Sequence, residues 1–390
     1  MARASRSATV GSLRIAVIGG GVIGFACALE LRKRGALVAI YEQGAELGGG
    51  ATIRAAGMLG LASEAAAEAE TPGLFELARR SAALWPAFAS EVERQGGAIG
   101  FAQDGAIVIA RTQAEIAWLE TLSAACQARD LAAQWLDPTS LKREEPAATG
   151  PARAALLLGS DSQVDAALLL QRLGAAAARA GVVIRLGRPI ERITTGVEFA
   201  LPDGERFDRV LVATGAAAHT IKFEGRPGVM VDPRIAPIVP VKGQMLALAP
   251  VAGAPRRVIR MRNVYVAPKA RWILVGATAE RGRADTTVDP AAIQRLRSDA
   301  AGVIGALRDA PEIAAWAGVR PGTPDDAPMI GETAIPGVFA AMGHYRNGIL
   351  LAPATAEILA DQLLDGKVSP VAAAFSPLRF DKPATAPHSP

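Results

Sequence analysis

The segment Arg14-Ile-Ala-Val-Ile-Gly-Gly-Gly-Val-Ile-Gly24 decides the fold of the N-terminal part of the chain. A short apolar strand leads directly into the pattern G-x-G-x-x-G, and residues 22–34 follow with the apolar spacing of a helix. In such a turn Gly19 permits the tight bend, Gly21 lets a pyrophosphate approach the backbone, and Gly24 allows the helix to pack closely on the strand. The segment therefore predicts a dinucleotide-binding turn.

The residues that follow complete a βαβ unit around this turn. Gly35 is placed to end the helix, residues 36–41 form a second apolar strand, and Glu42 stands at its end, where an acid accepts hydrogen bonds from a ribose. The N–H groups and the dipole at the helix N-terminus favour a diphosphate. Strand, helix and acid in this order favour a nucleotide cofactor over a structural glycine turn.

FAD and NAD both use this device, and three later features favour FAD. Residues 48–52 (GGGAT) supply a second small-residue stretch after the second strand. Residues 210–215 (VLVATG) form a strand that ends in small residues at the edge of the same sheet. An ordinary glycine-rich loop is the alternative for each of these two stretches. Since no second G-x-G-x-x-G appears, a separate NAD(P)H site is not expected.

Length, composition and charge exclude several classes of protein. The chain has 390 residues, a length that predicts two domains. Since 50% of the residues are hydrophobic and 21% charged, the composition excludes a disordered or fibrous protein. The net charge is +4 and the arginines form no run, which disfavours nucleic-acid or membrane-surface binding. Cys27 and Cys126 are too few for a disulfide framework or a structural zinc site, and no metal is expected.

A signal peptide is not expected, because no long apolar segment follows Arg3 and Arg6, and the chain has no run of about 18 uninterrupted apolar residues. We therefore expect a cytoplasmic protein with no membrane insertion, in a reducing compartment, and we expect it to form a homo-oligomer. Periodicity predicts helices at 74–95, 112–129, 166–180, 291–307 and 348–364. Strands with turn residues between them predict an antiparallel sheet over 237–278.

Three motifs resemble a known family. The segment RAAGML at 54–59 resembles the part of the chain that passes the flavin in the D-amino-acid oxidase superfamily. The segments AGVRPGTPDDAPMIG at 317–331 and GHYRNGILLAP at 343–353 are similar to the glycine oxidases of thiamine biosynthesis. The resemblance covers nearly all of residues 14–365 in order and weakens across 100–150.

The resemblance implies an α/β fold in which a discontinuous Rossmann-like FAD-binding domain accompanies an antiparallel-sheet substrate domain. The expected FAD-binding segments are 13–85, 150–222 and 317–366, the expected substrate segments are 86–149 and 223–316, and 1–12 and 367–390 are expected to be tails. The residues expected to contact non-covalent FAD are Gly19, Gly21, Val22, Ile23, Gly24, Glu42, Gln43, Ala51, Thr52, Ala56, Gly57, Met58, Ile190, Ala213, Thr214, Gly215, His344, Arg346, Asn347, Gly348 and Ile349.

The resemblance also implies a substrate site. Arg320 would form an ion pair with the substrate carboxylate, which agrees with the rule that an arginine in an apolar run needs an anionic partner. The alternative is a structural arginine paired with Asp325 or Asp326. Tyr265 would add a hydroxyl to the same carboxylate, or would be an ordinary core tyrosine.

Other positions have a functional and a structural interpretation. Arg346 would stand near the site or anchor the start of the helix at Gly348, whose N-terminus would stabilise negative charge on the flavin. Met58 would border the space over the flavin or belong to the core. His344 is interpreted as a structural turn residue and not as a catalytic base.

Two positions depart from the glycine oxidase pattern, which puts the substrate range in doubt. Asn263 stands where those enzymes tend to carry histidine, and Arg260 stands where they carry an aromatic residue.

The reaction implied by the resemblance is FAD-dependent oxidation of glycine and other small amines or D-amino acids, with O2 reduced to H2O2. The alternatives are a D-amino-acid or D-hydroxyproline dehydrogenase that passes electrons to a quinone, and a non-catalytic flavoprotein that senses redox state. A sarcosine oxidase with covalent flavin is disfavoured because the chain has no cysteine after Cys126.

Overall fold

The structure is a computed structural model, and it describes residues 13–66, 72–225 and 237–380. These residues group into two compact units. The first unit takes its described residues from Met1–Gly49, Leu173–Val239 and Pro321–Pro390, and the second takes them from Gly50–Arg172 and Pro240–Arg320. The described residues 50–66, 72–85 and 150–172, which were expected in the FAD-binding domain, therefore group with the second unit.

The helices and strands of the described residues have the following bounds. The α-helices are α1 (Val22–Lys33), α2 (Leu74–Gly96), α3 (Gln113–Gln127), α4 (Pro138–Glu144), α5 (Ala166–Arg179), α6 (Pro290–Ala301), α7 (Gly348–Asp365) and α8 (Pro370–Ala373). The strands are β1 (Arg14–Ile18), β2 (Leu37–Tyr41), β3 (Met58–Leu59), β4 (Ala106–Ala110), β5 (Ala133–Leu136), β6 (Ala154–Leu158), β7 (Ser162–Gln163), β8 (Val183–Arg185), β9 (Arg192–Thr194), β10 (Phe199–Ala200), β11 (Arg206–Phe207), β12 (Arg209–Val212), β13 (Lys222–Glu224), β14 (Val239–Leu248), β15 (Val258–Arg260), β16 (Tyr265–Pro268), β17 (Ile273–Gly276), β18 (Glu280–Arg281), β19 (Glu312–Gly322), β20 (Met329–Glu332) and β21 (Val338–Met342).

The first unit is built on a six-stranded sheet in the order β20-β21-β12-β1-β2-β8. The strands from β21 to β8 are parallel, and only β20 runs antiparallel to its neighbour. Apart from Arg14, every residue of β1 is buried, as expected of an apolar strand inside a parallel sheet. The predicted first βαβ unit is confirmed, and α1 packs against α7. A small second sheet, in the order β11-β10-β9-β13, belongs to the same unit.

The second unit is built on a nine-stranded sheet in the order β18-β14-β17-β16-β15-β4-β6-β5, with β19 paired to β14. Successive side chains along each strand alternate between its two faces. One face, which includes Ile107, Leu246 and Val266, packs into the core with α6. The other face includes Met245 and the half-buried Tyr265.

Several predicted elements differ from the observed ones. The helix predicted over 291–307 ends at Ala301, where Gly302 caps it, and residues 305–307 form a separate 3₁₀ turn. The strand β12 lies between β1 and β21, inside the sheet and not at its edge. The eleven-residue strand β19 was not predicted, because Gly318 and Pro321 interrupt its pattern.

The predicted C-terminal tail is also shorter than expected. Residues 367–380 contain α8 and a 3₁₀ turn, and the side chain of Phe375 is fully buried. Arg379 Nε donates to Asp325 Oδ2 at 2.8 Å, which ties this segment to the turn before β20. The predicted tail at 1–12 and the last ten residues lie outside the described residues.

Candidate functional site

Four predicted motifs lie at one edge of the parallel sheet in the first unit. The glycine turn follows β1, Glu42 follows β2, Ala213 follows β12, and His344 follows β21 by two residues. The carboxyl ends of parallel strands share an edge, and nucleotide ligands of open α/β sheets bind there. Backbone bonds hold the loops together: Gly19 N donates to Tyr41 O at 2.8 Å, and Ala213 N donates to Ile18 O at 2.8 Å.

The glycine turn has the geometry that a dinucleotide requires. Gly19 has φ +113°, and a Cβ at this position would overlap the carbonyl oxygen of Ala213. A Cβ at Gly24 would overlap the carbonyl oxygen of Gly19, so this glycine lets α1 start directly against the turn. Gly21 is the N-cap of α1 and offers no side-chain acceptor, and the first turn of α1 carries no acidic residue. The positive end of this helix therefore fits a diphosphate.

Glu42 is fixed at the end of β2 by backbone donors. Its Oε2 accepts from Gly20 N at 2.7 Å, and its Oε1 accepts from Gly44 N at 2.9 Å. Each carboxylate oxygen has further lone pairs, so these bonds orient Glu42 and leave acceptors for ribose hydroxyls. The neighbouring Gln43 is exposed, while Ile190 is buried in the core of the same unit.

The turn after β21 carries the predicted residues 344–349. His344 is buried and its Nε2 lies 3.1 Å from Thr355 Oγ1 in α7, while Arg346 is exposed. Burial lowers the pKa of His344 to about 3, so the imidazole is neutral at physiological pH. Asn347 is the N-cap of α7, and its carbonyl accepts from Leu351 N at 2.8 Å. This geometry agrees with a structural role for His344.

The predicted flavin-passing segment 54–59 lies in the second unit. Gly57 has φ +72°, and a Cβ there would overlap the Val164 carbonyl, so the close pairing of Gly57 with Val164 needs glycine. Lys269 Nζ donates to the same carbonyl at 2.9 Å and to Gln163 Oε1 at 2.8 Å. Burial lowers the pKa of Lys269 to about 8. Ala51, Thr52 and Ala56 precede this point, and Ala56 is buried.

Arg320 lies over a glycine of strand β14. A Cβ at Gly243 would overlap the guanidinium of Arg320, so only glycine leaves room for it. Arg320 Nη1 donates to Thr278 O at 3.1 Å. Asp325, one of the two acids considered as a structural partner, accepts two bonds from Arg379, at 2.8 and 3.1 Å.

Tyr265 lies over a second glycine on the same face of this sheet. Tyr265 pairs with Gly276 across β16 and β17, and Gly276 pairs with Met245 on β14. A Cβ at Gly276 would lie 2.7 Å from the Tyr265 hydroxyl, which contacts Met245 Sδ at 3.4 Å. Since Gly243 is two residues from Met245, it lies on the same face. The structure thus brings Arg320 and the Tyr265 hydroxyl to one patch of the sheet face. We call this patch, floored by Gly243 and Gly276, the glycine-floored patch.

Arg260 and Met58 lie on the same face of the sheet as Tyr265. Arg260 is the register partner of Tyr265 on β15, and Met58 packs against the apolar cluster of the same face. Arg260 Nη2 forms an ion pair with Glu64 Oε1 at 3.1 Å, and its Nη1 donates to Ser63 Oγ.

The turn that Arg260 contacts is held by a buried acid. Asp161 Oδ1 accepts from Ala62 N at 2.7 Å and from Ser63 N at 3.2 Å. Burial raises the pKa of Asp161, and the positive charge of Arg260 opposes this rise. Arg260 therefore anchors the turn at 60–64, and Asn263 is exposed.

The sequence missed the residues that support Arg320 and Tyr265. Gly243, Gly276 and Thr278 lie in segments that carried no recognised motif. The glycines inside the strand pattern of 241–248 and 272–277 were the available signal, because glycine within a strand often marks a close approach.

The family model and the sequence relatives that match this chain indicate the same family. The model of the DAO family, described as FAD dependent oxidoreductase, matches residues 14–362. The glycine oxidase of Geobacillus kaustophilus is 36% identical over 362 residues, which cover 89% of this chain and 92% of that protein. The bifunctional protein ThiO/ThiG of a Nostoc species is 32% identical over 95% of this chain, which spans only 56% of that relative.

A solved structure agrees with these sequence relatives. The crystal structure of the Geobacillus kaustophilus glycine oxidase superposes with a TM-score of 0.84 at 33% identity, covering 94% of this chain and 98% of that one. In the part of the chain that the structure describes, every helix is too short or too polar to cross a membrane. The chain belongs to the DAO family and is an FAD-dependent oxidoreductase with a Rossmann-like fold.

Proposed function

We propose that this enzyme oxidises glycine and other small amines or D-amino acids, such as sarcosine, D-alanine and D-proline, to the imine and then the keto acid. Oxygen is the proposed electron acceptor and hydrogen peroxide the second product. The similarity to a glycine oxidase over 89% of the chain supports this activity. The similarity to a ThiO/ThiG protein supports a role in supplying the thiazole synthesis of thiamine.

The observation that carries the proposal is the glycine-floored patch with Arg320 and Tyr265. A guanidinium fork and a phenol hydroxyl that lie together on two side-chain-free positions are suited to a carboxylate held by charge-assisted bonds. Amino acids carry a carboxylate, whereas simple amines do not. The patch therefore favours amino acids and their N-alkyl derivatives as substrates.

FAD, when bound, supplies the electron-accepting chemistry of the reaction, namely acceptance of a hydride equivalent and its transfer to O2. The contribution of the chain is orientation and electrostatics. Arg320 and Tyr265 would hold the substrate carboxylate, and the N-terminus of α7 would favour negative charge on the flavin. His344 is not proposed as a catalytic base, because burial lowers its pKa to about 3, which makes it a weak base, and its Nε2 already contacts Thr355.

Substrate size is proposed to be limited by Met58 and Arg260. Arg260 is the register partner of Tyr265 and is fixed by its ion pair with Glu64, and Met58 packs against the apolar cluster of the same face. Glycine has no side chain to recognise, so selection for it depends on excluding larger groups. An apolar wall discriminates by only about 1–3 kcal/mol per methylene, so D-alanine and sarcosine are expected to react with lower kcat/KM.

The alternative is a dehydrogenase of the same superfamily that passes electrons to a quinone. The test is oxygen consumption and peroxide formation by the purified holoenzyme with glycine, sarcosine, D-alanine and D-proline. Equal amounts of oxygen consumed and peroxide formed are the expected result. Substrate-dependent reduction of a soluble quinone without oxygen uptake would support the dehydrogenase, and no reaction with any of the four would refute the proposed substrate class.

A further inference from the structure

We propose that Gln244, Thr278 and Glu280 are positioning residues that fix the Arg320 guanidinium for carboxylate binding without touching the substrate. The inference rests on the proposed function of Arg320. The residues form a polar network in the second unit. The network is built from β14, β18 and the chain between β17 and β18.

The contact with Arg320 is made by the backbone of Thr278. Its carbonyl oxygen accepts from Arg320 Nη1 at 3.1 Å, while the guanidinium lies over Gly243. An arginine side chain has many rotamers, and holding one of them costs conformational entropy. A carbonyl fixed in place therefore selects the guanidinium orientation before the substrate arrives.

Gln244 and Thr278 fix each other. Thr278 N donates to Gln244 O at 3.3 Å, and Gln244 N donates to Thr278 Oγ1 at 3.0 Å. The Gln244 side chain is buried, and both ends of its amide are used. Its Nε2 donates to Glu280 Oε1 at 2.8 Å, and its Oε1 accepts from Asp289 N at 2.6 Å.

Glu280 closes the network around Thr278. Its Oε1 also accepts from Thr278 Oγ1 at 3.3 Å, so one carboxylate oxygen joins Gln244 and Thr278. The hydrogen bond from Gln244 is the main cause that lowers the pKa of Glu280. Glu280 therefore stays ionised at physiological pH and remains an acceptor.

The charges around the network balance. Arg283 Nη1 pairs with Glu280 Oε2 at 2.7 Å, and the buried Lys242 pairs with Asp285 at 2.6 Å. Two cations thus face two anions. Within this network, the group that contacts Arg320 is the neutral carbonyl of Thr278, so the network orients the guanidinium without adding a negative charge to it. An anchoring carboxylate at that place would compete with the substrate carboxylate.

The positions of Lys242 and Gln244 along β14 keep their side chains away from the glycine-floored patch. Side chains alternate along a strand, so Lys242 and Gln244 point to the face opposite Gly243. Their face is the one that carries Leu246 and Leu248 in the buried core. The network therefore supports Arg320 from behind the sheet, while the glycine-floored patch stays clear.

The test compares Thr278→Val with Thr278→Ser in the FAD-loaded enzyme. Valine removes the hydroxyl that Gln244 N and Glu280 use, whereas serine keeps it. Acetate serves as a carboxylate probe, and its Kd is measured from the change in flavin absorption. Thr278→Val loses both hydrogen bonds of the hydroxyl and so holds the Thr278 carbonyl less firmly. We expect it to raise the acetate Kd and the glycine KM about tenfold, which corresponds to the net contribution of about one hydrogen bond, with kcat within about twofold. Thr278→Ser should stay within about twofold of the parent in both quantities.

A matched control separates positioning from a general loss of stability. Glu145 is fully buried in the same unit and accepts from the backbone N–H groups of Arg256 and Arg257. Glu145→Gln should lower the melting temperature and leave the acetate Kd unchanged. If Thr278→Val does not fold, Glu280→Gln, at a partly exposed position, tests the same network with the same readouts.

A double-mutant cycle decides whether the network acts through Arg320. In an Arg320→Ala background, Thr278→Val should cause no further rise in the acetate Kd. An unchanged acetate Kd in Thr278→Val, or an equal rise with and without Arg320, would overturn the inference. An unchanged acetate Kd in Arg320→Ala itself would instead refute the proposed carboxylate role of Arg320, so the two failures are distinguishable.

Discussion

Acid should destabilise this protein through one buried histidine. His344 is buried, its pKa is lowered to about 3 from an ordinary value of 6.5, and it contacts Thr355 at 3.1 Å. The folded protein keeps the ring neutral, while the unfolded chain binds a proton as the pH falls below 6.5. The stabilisation is therefore fully present above about pH 6.5 and is lost as the pH falls from there towards 3.

The two pKa values give the size of this effect. Between pH 7 and pH 5 the unfolded chain gains most of one proton, and the linked loss is about 2 kcal/mol in the free energy of unfolding. His344→Gln removes the titrating group and keeps a side chain that can bond Thr355. Unfolding by urea at saturating FAD should show the parent losing about 2 kcal/mol more than the variant over this interval. Other titrating groups cancel in the comparison, so equal losses in the two proteins would show that His344 is not held neutral by burial.

Three further predictions address the cofactor and the substrate space. The purified protein should be yellow and release its FAD into the supernatant on acid precipitation; flavin that stays with the precipitate would contradict non-covalent binding. Gly24→Ala should lose FAD and stability, because its Cβ would overlap the Gly19 carbonyl, whereas Gly159→Ala, whose Cβ meets nothing within 4 Å, should retain FAD; equal FAD retention would contradict the tight-turn account. Met58→Gly should raise the ratio of kcat/KM for D-proline over that for glycine, with FAD binding intact; an unchanged ratio would make Met58 a core residue.

Local signals predicted the cofactor-binding part of the fold well. The turn at 19–24 is specified by a strand, three spaced glycines and a helix within a few residues, and the observed β1, α1 and β2 follow that order. Glu42 was predictable for the same reason, because it directly follows β2. The structure adds the backbone bonds from Gly20 and Gly44 that hold its carboxylate.

Long-range pairings were beyond the reach of local patterns. β19 pairs with β14 across about seventy residues of sequence, and Gly318 and Pro321 hide its strand pattern. The ion pair of Arg260 with Glu64 joins residues 196 positions apart. Gln244 and Thr278 had no local reason to be grouped with Arg320. Only the pairing of β14 with its neighbours brings them together.

The central claim is that Arg320 holds the carboxylate of an amino acid for oxidation by FAD. The most direct test is the rate of anaerobic flavin bleaching as a function of glycine concentration, in the parent and in Arg320→Ala. Losing a charge-assisted contact should cost about 2–3 kcal/mol, so the half-saturating glycine concentration should rise roughly 30- to 150-fold. Arg379→Ala, which removes an arginine bound to Asp325, should leave that concentration unchanged. Identical bleaching curves for the parent and Arg320→Ala would contradict the account.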